Sequence, residues 1–114
     1  MSFKYSALQD YEMGKHYKVP KFLLESEKYK DLGLAEKLLY SILREMQEEA
    51  IKNKQVDEEG GVYFIYKISD LAIFCNVLPE TITRYRKKLI KFGLLKEIKQ
   101  GVGKPNRSYL AKLY

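Results

Sequence analysis

Residues 69–93 read SDLAIFCNVLPETITRYRKKLIKFG, from Ser69 to Gly93. Apolar side chains recur at three- and four-residue steps on both sides of a break at Asn76-Val77-Leu78, which is the spacing of two amphipathic helices. Ser69 suits the cap of the first, Asp70 suits its positive end, and Leu71, Ala72, Phe74 and Cys75 make its buried side. Pro79-Glu80-Thr81 opens the second, with the proline in the first turn, where a missing N–H costs nothing. Gly93 ends it as a left-handed cap. The second helix, residues 79–92, turns Ile82, Tyr85, Leu89 and Phe92 inward. It turns Thr81, Thr83, Arg84, Lys87, Lys88 and Lys91 outward. Two short helices around a three-residue break make a helix-turn-helix.

The flanks extend this unit. Downstream, residues 94–98 read as a strand, Gly101-Val102-Gly103-Lys104-Pro105-Asn106 as a turn-rich loop, and residues 108–113 alternate as a returning strand should. Upstream, residues 34–54 are helical, with Leu38, Leu39, Ile42, Leu43, Met46 and Ala50 on one face. Glu36, Lys37, Arg44, Glu45, Glu48 and Glu49 take the other face, and Gly33 serves as N-cap. Asp57-Glu58-Glu59-Gly60-Gly61 is a turn, and Val62-Tyr63-Phe64-Ile65-Tyr66 a strand. Residues 21–30 form a short helix with Phe22, Leu23 and Leu24 on its apolar side. The resulting order is helix, strand, helix, turn, helix, strand, loop, strand. This is an α+β winged helix, with the terminal hairpin as wing. Residues 1–20 form an aromatic arm holding Phe3, Tyr5, Tyr11, His16 and Tyr17, with one short strand near residues 16–19. So many rings on a segment without its own core suit packing against the body or a second subunit. The domain proper is then residues 21–114.

Composition narrows the class. At 114 residues the chain is one domain. No apolar run approaches the roughly 18 residues of a membrane span, and the N-terminus lacks a signal-peptide core, so a cytoplasmic protein with no membrane partner is expected. One cysteine, Cys75, excludes an internal disulfide and a Cys-based zinc site, and its apolar neighbours make it a small buried hydrophobe. Of 21 Lys/Arg and 15 Asp/Glu, ten cations and only two acids, Glu80 and Glu97, fall from Pro79 onward. Eleven cations and thirteen acids precede it. Basic charge gathered in one third is the footprint of a polyanion-binding surface, although a solvated lysine-rich face has the same composition.

The charge pattern and the fold point to duplex DNA together. The major groove admits one α-helix, so a reading helix needs one packing face and one donor face. Thr83 and Arg84 lie in the N-terminal half, which enters the groove. A bidentate Arg84–guanine contact discriminates by about 1–3 kcal/mol. Lys87, Lys88 and Lys91 suit phosphates. In the wing, residues 100–107, glycines let backbone approach a phosphate closely, and Lys104, Asn106 and Arg107 reach the DNA. Gly-Val-Gly-Lys-Pro lacks the frame of a nucleotide-binding loop and the hydroxyl residue after its lysine. Ser41, Ser69, Thr81 and Ser108 have no acid and histidine arrayed around them, His16 is solitary, and the Asp57-Glu58-Glu59 run reads as a solvated turn. No catalytic set, metal site or cofactor is expected. Two other readings stay open: a winged-helix transcriptional regulator, and a protein-interaction winged helix without DNA binding.

Several stretches also resemble a known family. They are Tyr17-Lys18-Val19-Pro20-Lys21, Glu27-Lys28-Tyr29-Lys30-Asp31-Leu32, Lys37-Leu38-Leu39-Tyr40, Asp57-Glu58-Glu59-Gly60 with Val62-Tyr63, and Gly101-Val102-Gly103-Lys104-Pro105-Asn106. Over about residues 17–113 the chain resembles the N-terminal domain of RepA-type replication initiators from low-copy plasmids of Gram-positive bacteria. The Gly-x-Gly-Lys-Pro-Asn wing after Phe-Gly-Leu-Leu is its most specific part. The resemblance implies binding to repeated sites in a plasmid origin, a homodimer, and a longer parent protein whose further domains recruit host replication proteins. An end immediately after the wing strand fits an isolated domain. Arg86 departs from the family, which usually has an aliphatic residue there. Arg86 is either half-buried with its head extended outward or a further DNA contact.

Overall fold

Helix α2, Leu34–Lys52, is the spine of the fold. Leu39, Tyr40, Ile42, Leu43 and Ala50 are buried along it. They close a core with Leu23, Leu71, Ile82, Leu89, Leu95 and Leu110, contributed by the other helices and both strands. The computed structural model describes residues 2–10 and 15–113. Helix α1, Lys21–Glu25, precedes α2; α3, Ile68–Cys75, α4, Pro79–Lys91, strand β1, Leu95–Ile98, and strand β2, Arg107–Leu110, follow it. β1 and β2 pair antiparallel, with Leu95 opposite Leu110 and Glu97 opposite Ser108. α4 packs against α2 and α3, and the wing hairpin follows from its C-terminal end. This is a winged helix-turn-helix of the α+β class.

The turn chemistry is local. Asn76 takes the left-handed conformation (φ 56°) that ends α3, and Gly93 (φ 75°) turns the chain from α4 toward β1. Leu94 N–H closes that turn on the Leu89 carbonyl at 3.0 Å. Asp57 organises the turn before α3: its Oδ1 accepts from the N–H groups of Glu59 and Gly61 at 2.9 and 2.8 Å.

Several local expectations are corrected. Residues 21–30 are not one helix, because Ser26 is extended and accepts from Lys28 N–H; a 3-10 turn, Glu27–Tyr29, follows it. Leu24 faces solvent there. On α2, Leu38 is 55% exposed while Glu36 and Lys37 are buried, because that side of the helix packs under α4. The stretch 62–66 forms no full strand. It is tied down by two isolated bridges, Val56 with Val62 and Phe64 with Ser108, the latter through bonds of 3.0 and 2.9 Å. Helix α3 starts two residues early at Ile68, so Ser69 lies inside it and Lys67 stands at the cap without a side-chain bond. Phe74 is not core: it is 62% exposed, with the Tyr17 ring edge-on at 6.4 Å. Burial pushes the Cys75 thiol upward, as suits an apolar spacer. The arm forms no strand at residues 16–19. Its Phe3, Tyr5 and Leu8 lie exposed, and Tyr11 falls outside the described residues. Among the described residues no helix is long and apolar enough to cross a membrane.

Candidate nucleic-acid interface

Helix α4 divides as its sequence period demands. Ile82 and Leu89 are buried, and Tyr85 and Phe92 pack partly against the core. Opposite them Arg84, Lys87 and Lys91 are exposed, three cations along one line of the helix. Arg84 carries its guanidinium 5.4 Å from the centre of the Tyr85 ring, which stiffens a long side chain and leaves its donors outward. Thr81 and Thr83 are half-buried on the two flanks of this line.

Lys88 departs from the outward set. Its Nζ lies 3.3 Å from Glu36 Oε1 on α2, and that carboxylate is largely buried. The pair holds Lys88 beside the protein's own acid. Arg107 departs in part as well. Its guanidinium covers the Tyr63 ring at 4.3 Å and lies 3.8 Å from the exposed Glu58 carboxylate. It braces the wing root, whereas Lys104 and Asn106 stand exposed on the loop. Gly101 (φ 126°) and Gly103 (φ 78°) shape that loop, and Lys104 N–H bonds the Gly101 carbonyl at 3.2 Å.

Arg86 is resolved. It points inward and its Nη1 lies 3.0 Å from Glu97 Oε1. The Tyr66 hydroxyl donates to Glu97 Oε2 at 2.6 Å, and Ser108 Oγ donates to the same oxygen at 3.2 Å. The network joins α4, both wing strands and the stretch before α3. Burial first, and the Glu97 carboxylate second, push the Tyr66 phenol far above its usual range, so it remains a donor. A second brace runs outside it: Tyr109 OH donates to Asp57 Oδ2 at 2.8 Å and is the largest cause of the lowered Asp57 pKa.

Between α4 and the wing lies a cleft of about 670 Å³, lined by Arg86 and Ile90 on one side and Lys96, Lys99 and Asn106 on the other. Sequence reasoning passed over Lys96 and Lys99. The signal for Lys96 was the alternation of β1, where Leu95 faces in and Lys96 out. The structure thus places four of the expected cations, Arg84, Lys87, Lys91 and Lys104, free at the surface, adds Lys96 and Lys99, and engages Lys88 and Arg107 internally. Among the described residues, no three His, Cys, Asp or Glu side chains gather as a metal set.

Known proteins show the same architecture. A solved structure described as "Structure of Rep-DNA complex" has a TM-score of 0.78 and 38% identity, covering 96% of this chain and 84% of that one. One described as "N-Terminal domain of DNA binding protein" has a TM-score of 0.79 and 37% identity, covering 97% and 85%. A third, "Structure of MDR initiator", has a TM-score of 0.73 and 33% identity, covering 96% and 86%. A "41 kDa protein" of Lactobacillus helveticus is 30% identical over 99 residues, which are 86% of this chain and 28% of that protein. The family model "Replication initiator protein A (RepA) N-terminus" matches residues 15–114, and the chain belongs to that family.

Proposed function

We propose that this chain is the DNA-binding domain of a plasmid replication initiator and holds repeated duplex sites in the plasmid origin. The observation that carries the reading is the exposed line Arg84, Lys87 and Lys91 on a helix whose opposite face is core, beside a glycine-shaped wing bearing Lys104 and Asn106. Arg84 and Thr83 read bases from the N-terminal half of α4. Lys87, Lys91, Lys104 and the cleft lysines hold phosphates, with Thr81 at the margin, while Lys88 and Arg107 stay with Glu36 and Glu58. The domain works by binding, without catalysis. Repeated sites are most naturally matched by a symmetric dimer, with the aromatic arm as a candidate contact. Host replication proteins would be engaged by parts of a longer protein outside these residues.

Footprinting on the parent plasmid with a salt titration tests this. Protection of repeats in the origin is expected, with affinity falling steeply in salt. Protection confined to a promoter would instead make the chain a transcriptional regulator. Deleting residues 1–18 and measuring mass in solution tests the arm, and an unaltered oligomer would exclude it as the dimer contact.

A further inference from the structure

The first turn of α4 differs chemically from the rest of the helix. Its cations begin only at Arg84; before them stand Leu78, Pro79, Glu80 and Thr81. Leu78, the N-cap, is 64% exposed, and Val77 beside it is also exposed. With Ile73 of α3, 81% exposed, and Pro79, they border a shallow groove of about 580 Å³. Pro79 in this apolar surface opens α4, the helix that carries the cationic line. Attraction to phosphate cannot account for it, and the exposed Glu80 that follows Pro79 repels phosphate. The end of the helix that carries it therefore belongs away from the backbone, against base edges. The apolar group that major-groove edges offer is the 5-methyl of thymine.

We propose that Leu78, flanked by Val77, packs on thymine 5-methyl groups in the major groove. The chain then selects A·T pairs there by burying a methyl group instead of by a hydrogen bond. This rests on the DNA-binding reading and adds to it a chemical basis for site choice. Each methyl buried is worth about fourfold in affinity.

Deoxyuridine lacks only that methyl and keeps the hydrogen-bonding edge of thymine. The test begins with a duplex that the chain itself selects from a randomised pool, prepared with thymidine or with deoxyuridine throughout. Fluorescence anisotropy then gives both affinities for the wild-type chain, Leu78→Ala and Leu78→Met. Wild type and Leu78→Met should bind the uracil duplex at least about fourfold more weakly. Leu78→Ala should bind the thymine duplex more weakly than wild type does, and should discriminate less between the two. Because Leu78 is exposed, neither change should alter the thermal midpoint. Equal wild-type affinities, or undiminished discrimination by Leu78→Ala, would overturn the methyl contact alone. Failure to select any duplex would overturn the DNA-binding reading, and the contact with it.

Discussion

The Arg86 guanidinium lies 3.0 Å from the Glu97 carboxylate and fastens the base of the wing to the inner side of helix α4. Both side chains are mostly shielded from water, and Glu97 also accepts from Tyr66 and Ser108. Removing Glu97 therefore strands a half-buried cation and the Tyr66 hydroxyl together. Glu97→Ala should cost on the order of 2–3 kcal/mol in urea denaturation. Arg86→Leu combined with Glu97→Leu should recover much of that loss, because an ion pair exchanged for apolar packing is often neutral. A double variant as unstable as Glu97→Ala would mean that the pair, or the bonds Tyr66 and Ser108 donate to Glu97, supply the stability.

The lysines of α4 should separate by partner. Lys87 and Lys91 are exposed, so replacing either with alanine should lower the salt slope of DNA binding by about one ion. Lys88 is held by Glu36, so Lys88→Ala should leave that slope unchanged and cost less than about 1 kcal/mol of stability, since its side chain is partly solvated. Salt titrations of the three variants decide this. A slope lowered equally by Lys88→Ala would mean that Lys88 leaves Glu36 for phosphate.

What the sequence made legible was periodic, and what it hid was long-range. The three- and four-residue steps of α4 place Ile82 and Leu89 in the core and Arg84, Lys87 and Lys91 outside, and local chemistry marks the caps at Asn76 and Gly93. Lys88 fits the outward period equally well; only Glu36, more than fifty residues earlier, takes it out of the free set. Arg86 offered two readings because its partner, Glu97, lies across the turn at Gly93. Val62-Tyr63-Phe64-Ile65-Tyr66 has the composition of a strand, yet its pairing with the wing is confined to the bridge at Ser108. Strand composition does not reveal how many partners the chain will supply. Phe74 looked like core by spacing, but α3 is too short to bury two sides.

Stability should decline at both ends of the pH scale for identifiable reasons. Asp57 is depressed mainly by the Tyr109 hydrogen bond, so its contribution is present above the ordinary aspartate pKa, about 3.9, and is lost as pH falls through the lower folded value. Tyr66 and Tyr109 are raised, the first mainly by burial and the second mainly by the bond to Asp57. Their contributions are complete below about pH 10 and fade as pH climbs toward the folded values. Denaturation across pH should show Asp57→Asn flattening the acid limb and Tyr66→Phe flattening the alkaline one. Unchanged limbs would remove these bonds as the cause.

The wing glycines should matter for shape. Gly101 and Gly103 adopt φ of 126° and 78°, and an added Cβ at either would meet nothing within 4 Å. Substitution there is penalised by backbone conformation alone, and most at Gly101, whose φ is essentially confined to glycine. Gly101→Ala should strain the loop by about 1–3 kcal/mol. That strain need not reach the core, because Val102 and Lys104 at the loop are exposed and make no core contact. The loop should relax instead, displacing Lys104 and Asn106. The expected result is weaker DNA binding with a nearly unchanged unfolding midpoint, whereas Lys104→Ala should lower the salt slope by about one ion. Full affinity in Gly101→Ala would show that the wing holds DNA through flexible charge and not through a fixed loop shape.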